Sequence, residues 1–203
     1  MRRLSQATIR RAREGDAGAI APLLYESAAA MYDRFTGGSS RATRVLMHAF
    51  EAEGNNASAE VITVAELEGN LAAAMAAFPV EEMPARAHAF LRLTLRCIPP
   101  WRWPGCLRLY YLGMRASPEP PRSAFYVDAL ATDRSLRRRG AARALLDRAE
   151  QRARELGLPA VALDTALTNT TARSLYLGAG YEEMGYRASA RGLPGFVALV
   201  KPV

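Results

Sequence analysis

The chain has 203 residues, 50% of them apolar and 23% charged, which is enough material to bury a full core in one domain. Its formal charge of +7 is carried by arginine, with Lys201 the one lysine, so a solvated arginine-rich surface is the first reading, ahead of a nucleic-acid patch. No run of about 18 uncharged apolar residues occurs, and the start MRRLSQATIRRAREGD is basic with no apolar segment behind it; the expectation is a soluble, cytoplasmic protein that makes no membrane contact. Cys97 and Cys106 are a weak basis for a disulfide framework, and neither His48 nor His88 stands at a metal-ligand spacing, so free thiols and no metal are expected.

In chain order, Thr8 to Arg11 alternates briefly as a strand does, and Asp16 can cap a following helix that carries Ile20, Leu23 and Leu24 on one face. Gly37 to Ser40 reads as a loop. Arg41 to Glu53 reads as a second helix, stopped by Gly54, Asn55 and Asn56. Ala59 to Ala65 is rich in Val, Ile and Thr, and the turn at Glu68-Gly69-Asn70 pairs it with Leu71 to Phe78 as a hairpin; the alanines of that second arm leave a helix open. Residues 79 to 121 break the pattern, with a helix from Pro84 to Cys97, the segment IPPWRWPG, another apolar stretch and a proline-rich end. Two readings of this insertion stand: a lid or acceptor wall using Trp101, Trp103 and Tyr110, or a helical addition to the core. After it come a strand (SAFYVDALAT), a loop entering a long helix (LRRRGAARALLDRAEQRARELG), a strand (PAVALDTA), a helix (NTTARSLYLGAG) and a strand (YEEMGYRA). That order predicts a parallel pair at the centre of a sheet. A last strand, Phe196 to Val200, follows a turn at Gly192 to Gly195.

The most specific signal is the run Arg137, Arg138, Arg139, Gly140, Ala141, Ala142 between a strand and a helix. A helix start has unpaired N–H groups and the positive end of the dipole, so it is suited to a pyrophosphate, and Gly140 lets the backbone come close. Taken alone, RRRGAA is more often an ordinary turn. It is not alone, because Asn169, Ala172, Tyr176, Gly180 and Tyr181 follow at the spacing Asn-x-x-Ala-x-x-x-Tyr-x-x-x-Gly-Tyr. The two blocks resemble those of the GNAT superfamily of N-acetyltransferases, with Ala142 and Tyr181 as allowed variants, and the resemblance is convincing over residues 125 to 181.

The resemblance implies an α/β (α+β) fold: a mixed, mostly antiparallel twisted sheet of about six to seven strands, with a central parallel pair, flanked by helices. It implies acetyl-CoA as co-substrate and a primary amine as acceptor, on a small molecule, a peptide or a protein N-terminus. By that resemblance Leu130, Ala131 and Thr132 would meet the pantetheine arm, Arg137 through Ala142 would cradle the pyrophosphate, and Asn169, Ala172 and Arg173 would complete the cofactor site. Tyr176 would protonate the departing sulfur, although a core tyrosine is its plainer reading. For a general base the sequence offers Asp128, two residues before Leu130 and so expected on the same face of the strand; a carboxylate paired with an arginine, or a water chain in its place, are the alternatives. A non-catalytic acyl-CoA sensor or nucleic-acid binder on the same scaffold is the competing function, and a homodimer is compatible with the sequence.

Overall fold

A computed structural model describes residues 7–116, 118–189 and 193–203. Gly192, in the turn expected ahead of the last strand, lies outside the described residues. The chain forms one seven-stranded sheet in the order β1-β2-β3-β4-β5-β7-β6. The strands are β1 (Thr8–Arg11), β2 (Ile62–Leu67), β3 (Asn70–Pro79), β4 (Ala124–Thr132), β5 (Ala160–Ala166), β6 (Glu182–Arg187) and β7 (Phe196–Pro202). All neighbours are antiparallel except β4 and β5 at the centre. This is the mixed sheet with a parallel pair that the sequence predicts.

The helices are α1 (Ala17–Ser27), α2 (Ala29–Thr36), α3 (Ser39–Glu51), α4 (Met83–Cys97), α5 (Trp103–Gly113), α6 (Ala141–Glu155) and α7 (Thr170–Gly178). The first predicted helix is in fact two. The Ser27 hydroxyl donates to the Leu24 carbonyl at 2.6 Å and Ala28 leaves helical geometry, so the axis breaks there. Asp16 does not cap α1 with its side chain; it is held by Arg10 at 2.6 Å and accepts from the Arg13 amide. The alanine-rich arm is a strand, β3, because it is covered on both faces and its small side chains fit between two helix layers. Its hairpin turn uses positive φ at both Glu68 and Gly69, the geometry that two-residue hairpin turns require.

One face of the sheet is covered by α6 and α7. Leu145, Leu146, Ala149 and Ala153 form the buried stripe of α6 against Met75, Val127 and Leu163. A fully buried leucine of this kind contributes roughly 1.5–3 kcal/mol. The other face is covered by α1 and α3 through Ile20, Leu24, Leu46 and Phe50. The insertion α4–α5 builds a small cluster of its own from Leu91, Ile98, Cys106 and Tyr110. Trp101 is 80% exposed and Trp103 42%, so these two rings do not form a buried acceptor wall. Among the described residues no helix is long and apolar enough to cross a membrane.

Candidate active site

The centre of the sheet opens. The β4–β5 ladder pairs Ala124 to Val127 with Ala160 to Leu163 and then stops, although β4 runs on to Thr132 and β5 to Ala166. Past Val127 the backbone of β4 facing β5 therefore has no ladder partner. A bulge marks the same place: Ala76 pairs with Ala129 and Ala77 with Val127, which leaves Asp128 as the extra residue.

The bulge corrects one expectation. Phe125 and Val127 pack on the α6 side, but Ala129 and Ala131 pack on the α1–α3 side and Leu130 returns to the α6 side. Asp128 accordingly does not share a face with Leu130. Its Oδ2 accepts from Asn56 Nδ2 at 3.1 Å, just after α3, on the opposite side of the sheet. Counting by twos fails because the extra residue reverses the alternation beyond it.

On the α6–α7 side the opening leads into a groove of about 770 Å³. Leu130, Ala131 and Thr132 form its floor, Arg137, Arg138, Gly140, Ala141 and Ala142 one wall, and Asn169, Ala172 and Tyr176 the other. Arg138 at φ 59° and Gly140 at φ 88° turn the chain into the start of α6, and Gly140 presents no side-chain cap there. The first-turn amides are thus left for a ligand, in a concave row suited to an anion. Two predicted contacts do not reach the groove. Arg139 pairs with Glu68, and the Arg173 guanidinium holds Glu183 at 2.6 Å on β6. Arg134 and Arg137, at the mouth, share the Glu26 carboxylate at 3.3 and 3.5 Å. Asn169 caps α7, its Oδ1 accepting from the Ala172 amide at 3.2 Å.

Tyr176 is 6% exposed and lines the inner end of the groove. Burial first, and the charge of Asp164 second, push its hydroxyl up to about 12, so it is protonated throughout the neutral range. Asp128 is an exposed residue with much protein around its carboxyl. That surrounding protein, and next the charge of Asp164, raise its carboxyl to about 7 against the opposing pull of the Asn56 hydrogen bond. Four neighbours had not been singled out from the sequence: Tyr32, Asn56, Tyr126 and Asp164. Tyr126 donates to Asp164 Oδ2 at 2.8 Å, Tyr32 on α2 is raised by burial and by Asp128, and Asn56 has its Oδ1 buried without a hydrogen-bond partner. The available signal was an aspartate inside the otherwise apolar strand PAVALDTA.

A second depression, of about 660 Å³, surrounds Phe125 at the other end of β4. Its arginines are largely committed: Arg10 to Asp16 and Glu66, Arg86 to Glu60 and Glu82, and Arg148 and Arg152 to Glu155. No residue of the Asp128–Tyr176 cluster lines it. Among the described residues no group of three or more His, Cys, Asp or Glu side chains could hold a metal ion.

A helix start with free amides, opening into a groove that runs to the parted strands, has the form of a site for a phosphorylated co-substrate. Comparison with known proteins narrows the class. The model of the Acetyltransferase (GNAT) family matches residues 24–181, and the chain belongs to that family; it is an acetyltransferase. No curated protein matches the chain. Among solved structures it is similar to an N-acetyltransferase from Staphylococcus aureus Mu50, with 20% identity and TM-score 0.72 over 96% of this chain and 100% of that one. It is also similar to an agmatine N-acetyltransferase, with 19% identity and TM-score 0.60 over 97% and 99% of the two chains. A mosquito arylalkylamine N-acetyltransferase-like protein gives 16% identity and TM-score 0.62 over 98% and 100%. At these identities the likeness is one of fold.

Proposed function

We propose that the chain works as one catalytic domain, with an insertion at residues 79 to 121, that transfers the acetyl group of acetyl-CoA to a primary amine. The observation that supports this reading is the sheet opening, where the unpaired backbone of β4 beyond Val127 borders the groove lined by Tyr176. At the opening, a thioester laid along Leu130 to Thr132 meets Tyr176 from the groove and an amine beside Asp128 from the other side.

The groove fits the co-substrate chemically. The α6 amides, with Arg137 and Arg138, receive the pyrophosphate, and the open backbone of β4 receives the amide-rich pantetheine arm. Asn169 Oδ1 is used by its own helix, so its Nδ2 is the group left to donate. Arg139 and Arg173, bound to glutamates, are not assigned to the cofactor.

In the reaction, the amine nitrogen forms a bond to the thioester carbonyl carbon and the C–S bond breaks. Asp128, as carboxylate, takes the proton that the nitrogen must lose. Tyr176 gives its proton to the departing sulfur. A carboxyl that titrates near 7 is suited to this base role, since it is substantially ionised at neutral pH yet still basic. The acceptor is a small amine, a peptide or a protein N-terminus; charge and aromatic neighbours around Asp128 do not choose among them. Release of free CoA in the presence of a panel of amines, amino acids and peptides tests the reading. In that assay Tyr176→Phe should lower turnover about 10-fold to 1000-fold with little change in acetyl-CoA affinity. Full kcat in the Phe variant, with chemistry rate-limiting, would leave Tyr176 a packing residue.

A further inference from the structure

The bulge leaves Asp128 without a rung partner on β3. A partner comes instead from the turn after α3, where Asn56 Nδ2 donates to Asp128 Oδ2 at 3.1 Å. Among the described residues this is the one hydrogen bond that either side chain makes. Asn56 Oδ1 is buried and unpaired. A buried acceptor without a donor costs free energy, so the amide does not sit there for the stability of its own turn.

The turn is held by the residue before it. Asn55 is 1% exposed, and its Nδ2 donates to the Ala49 and Ala52 carbonyls at 2.8 Å each, closing the end of α3. Its Oδ1 accepts from the Ala57 amide at 2.9 Å. The Ser58 hydroxyl accepts from the Asn55 amide at 2.9 Å and donates to the Asn55 carbonyl at 2.7 Å. Arg86 on α4 braces the turn from outside. Its Nη1 donates to the Asn55 carbonyl at 3.2 Å and to Glu60 Oε1 at 2.6 Å, and the same carboxylate oxygen accepts from the Gly54 amide at 3.1 Å. All the polar groups of Asn55 are thus spent on fixing the turn, while the Asn56 amide is aimed across it at Asp128.

We propose that Asn56 is a positioning residue for the acetyl transfer: carried by the braced turn, its amide holds Oδ2 of Asp128 and leaves Oδ1 as the oxygen that takes the amine proton. The inference rests on Asp128 being the base, as proposed above. A hydrogen bond donated to a carboxylate favours its charged form, which a base must adopt before the amine is attacked. It works against the surrounding protein and the charge of Asp164, both of which favour the neutral form. The other ionisable groups that act on Asp128 or respond to it are Tyr32 from α2, Tyr126 from β4 itself and Asp164 from β5. None of them donates a hydrogen bond to it among the described residues, so Asn56 has no substitute. The choice of an amide also matters in a chain so rich in arginine. A guanidinium would hold the carboxylate ionised but leave it a poor base, whereas a neutral donor orients it and leaves it basic.

The test reads Asp128 directly. Carboxyl-carbon NMR titration of aspartate-labelled protein, with Asp128 assigned through Asp128→Asn, should give a wild-type midpoint near 7. In Asn56→Leu, which keeps the size of the side chain and removes the donor, the midpoint should rise by about one pH unit. Acetyl-CoA affinity by calorimetry should not change. In an acceptor assay the acidic limb of the kcat/KM profile should move up with the midpoint. Asn56→Ala gives the same measurement should the Leu variant not fold. A merely structural Asn56 would lower the melting temperature and leave the Asp128 midpoint where it was, and that result in a folded variant overturns the inference. Failure of the base reading is a separate outcome: the midpoint rises in Asn56→Leu, but Asp128→Asn keeps the wild-type rate and acidic limb, and the positioning role falls with it.

Discussion

Asp128 shows how much one residue's surroundings can change its chemistry. A free aspartate is ionised across the physiological range, whereas here the surrounding protein, and next the charge of Asp164, push the carboxyl up. The consequence reaches stability. The ordinary carboxyl value is 3.8 and the folded one about 7. Below pH 4 both folded and unfolded chains hold the proton; between 4 and 7 the unfolded chain releases it first; above 7 both are ionised. Stability contributed by Asp128 is thus fully present below its unfolded value and lost as the pH rises through its folded one. Thermal melts from pH 4 to 8 should show Asp128→Asn gaining on the wild type as the pH rises to about 7, then a constant difference. A difference that stays flat through this window would mean that Asp128 titrates as an ordinary surface carboxylate.

At the level of elements, the start of α6 joins a backbone that is prepared for an anion to side chains that are already engaged. Gly140 adopts φ 88°, a conformation that costs an L-residue roughly 1–2 kcal/mol, although a Cβ there would meet no neighbouring atom. Gly140→Val should therefore weaken acetyl-CoA binding by reshaping the loop and by intruding on the phosphate. The opposite sign is expected at Glu26, whose carboxylate occupies Arg134 and Arg137 at the mouth of the groove. A pyrophosphate must displace it, and an exposed ion pair of this type is worth up to about 1 kcal/mol. Glu26→Gln should accordingly tighten acetyl-CoA binding, by at most about five-fold. Calorimetry on the two variants at one salt concentration checks both. Weaker binding in Glu26→Gln would show that the pyrophosphate does not meet these arginines.

At the scale of the whole molecule, the C-terminal strand is tied to α6. Lys201 on β7 reaches Glu150 on α6 at 2.7 Å, and its ammonium lies 5.8 Å from the centre of the Tyr181 ring. Glu150 is 6% exposed, with Arg154 at 4.0 Å as its remaining partner among the described residues. Removing Lys201 leaves a buried carboxylate poorly compensated, so Lys201→Ala should destabilise the fold by about 2 kcal/mol or more in chemical denaturation. An unchanged denaturation midpoint would place Glu150 in contact with enough water to need no partner.

The order of elements in the C-terminal half, the glycine turn at Gly140 that leads into α6 and the capped helix at Asn169 were all legible in the sequence, because each depends on local patterns: alternation, helical spacing, a glycine at a turn, an asparagine before a helix. The strand character of Leu71 to Phe78 was not, since small alanines fit a helix or a doubly covered strand equally well until both covering layers exist. The exposure of Trp101 and Trp103, the pairing of Arg139 with Glu68 and of Arg173 with Glu183, and the break at Ala28 likewise depended on what packs nearby. So did the site itself. Tyr126, Asp128, Asp164 and Tyr176 come from two strands and a helix; a single extra residue in β4 turns Asp128 away from the groove, and the pairing of β4 with β5 ends at Val127. Local sequence carries which residues prefer which backbone shape; where a ladder ends, and therefore which side chains face one another across it, is decided by the packing of the entire sheet.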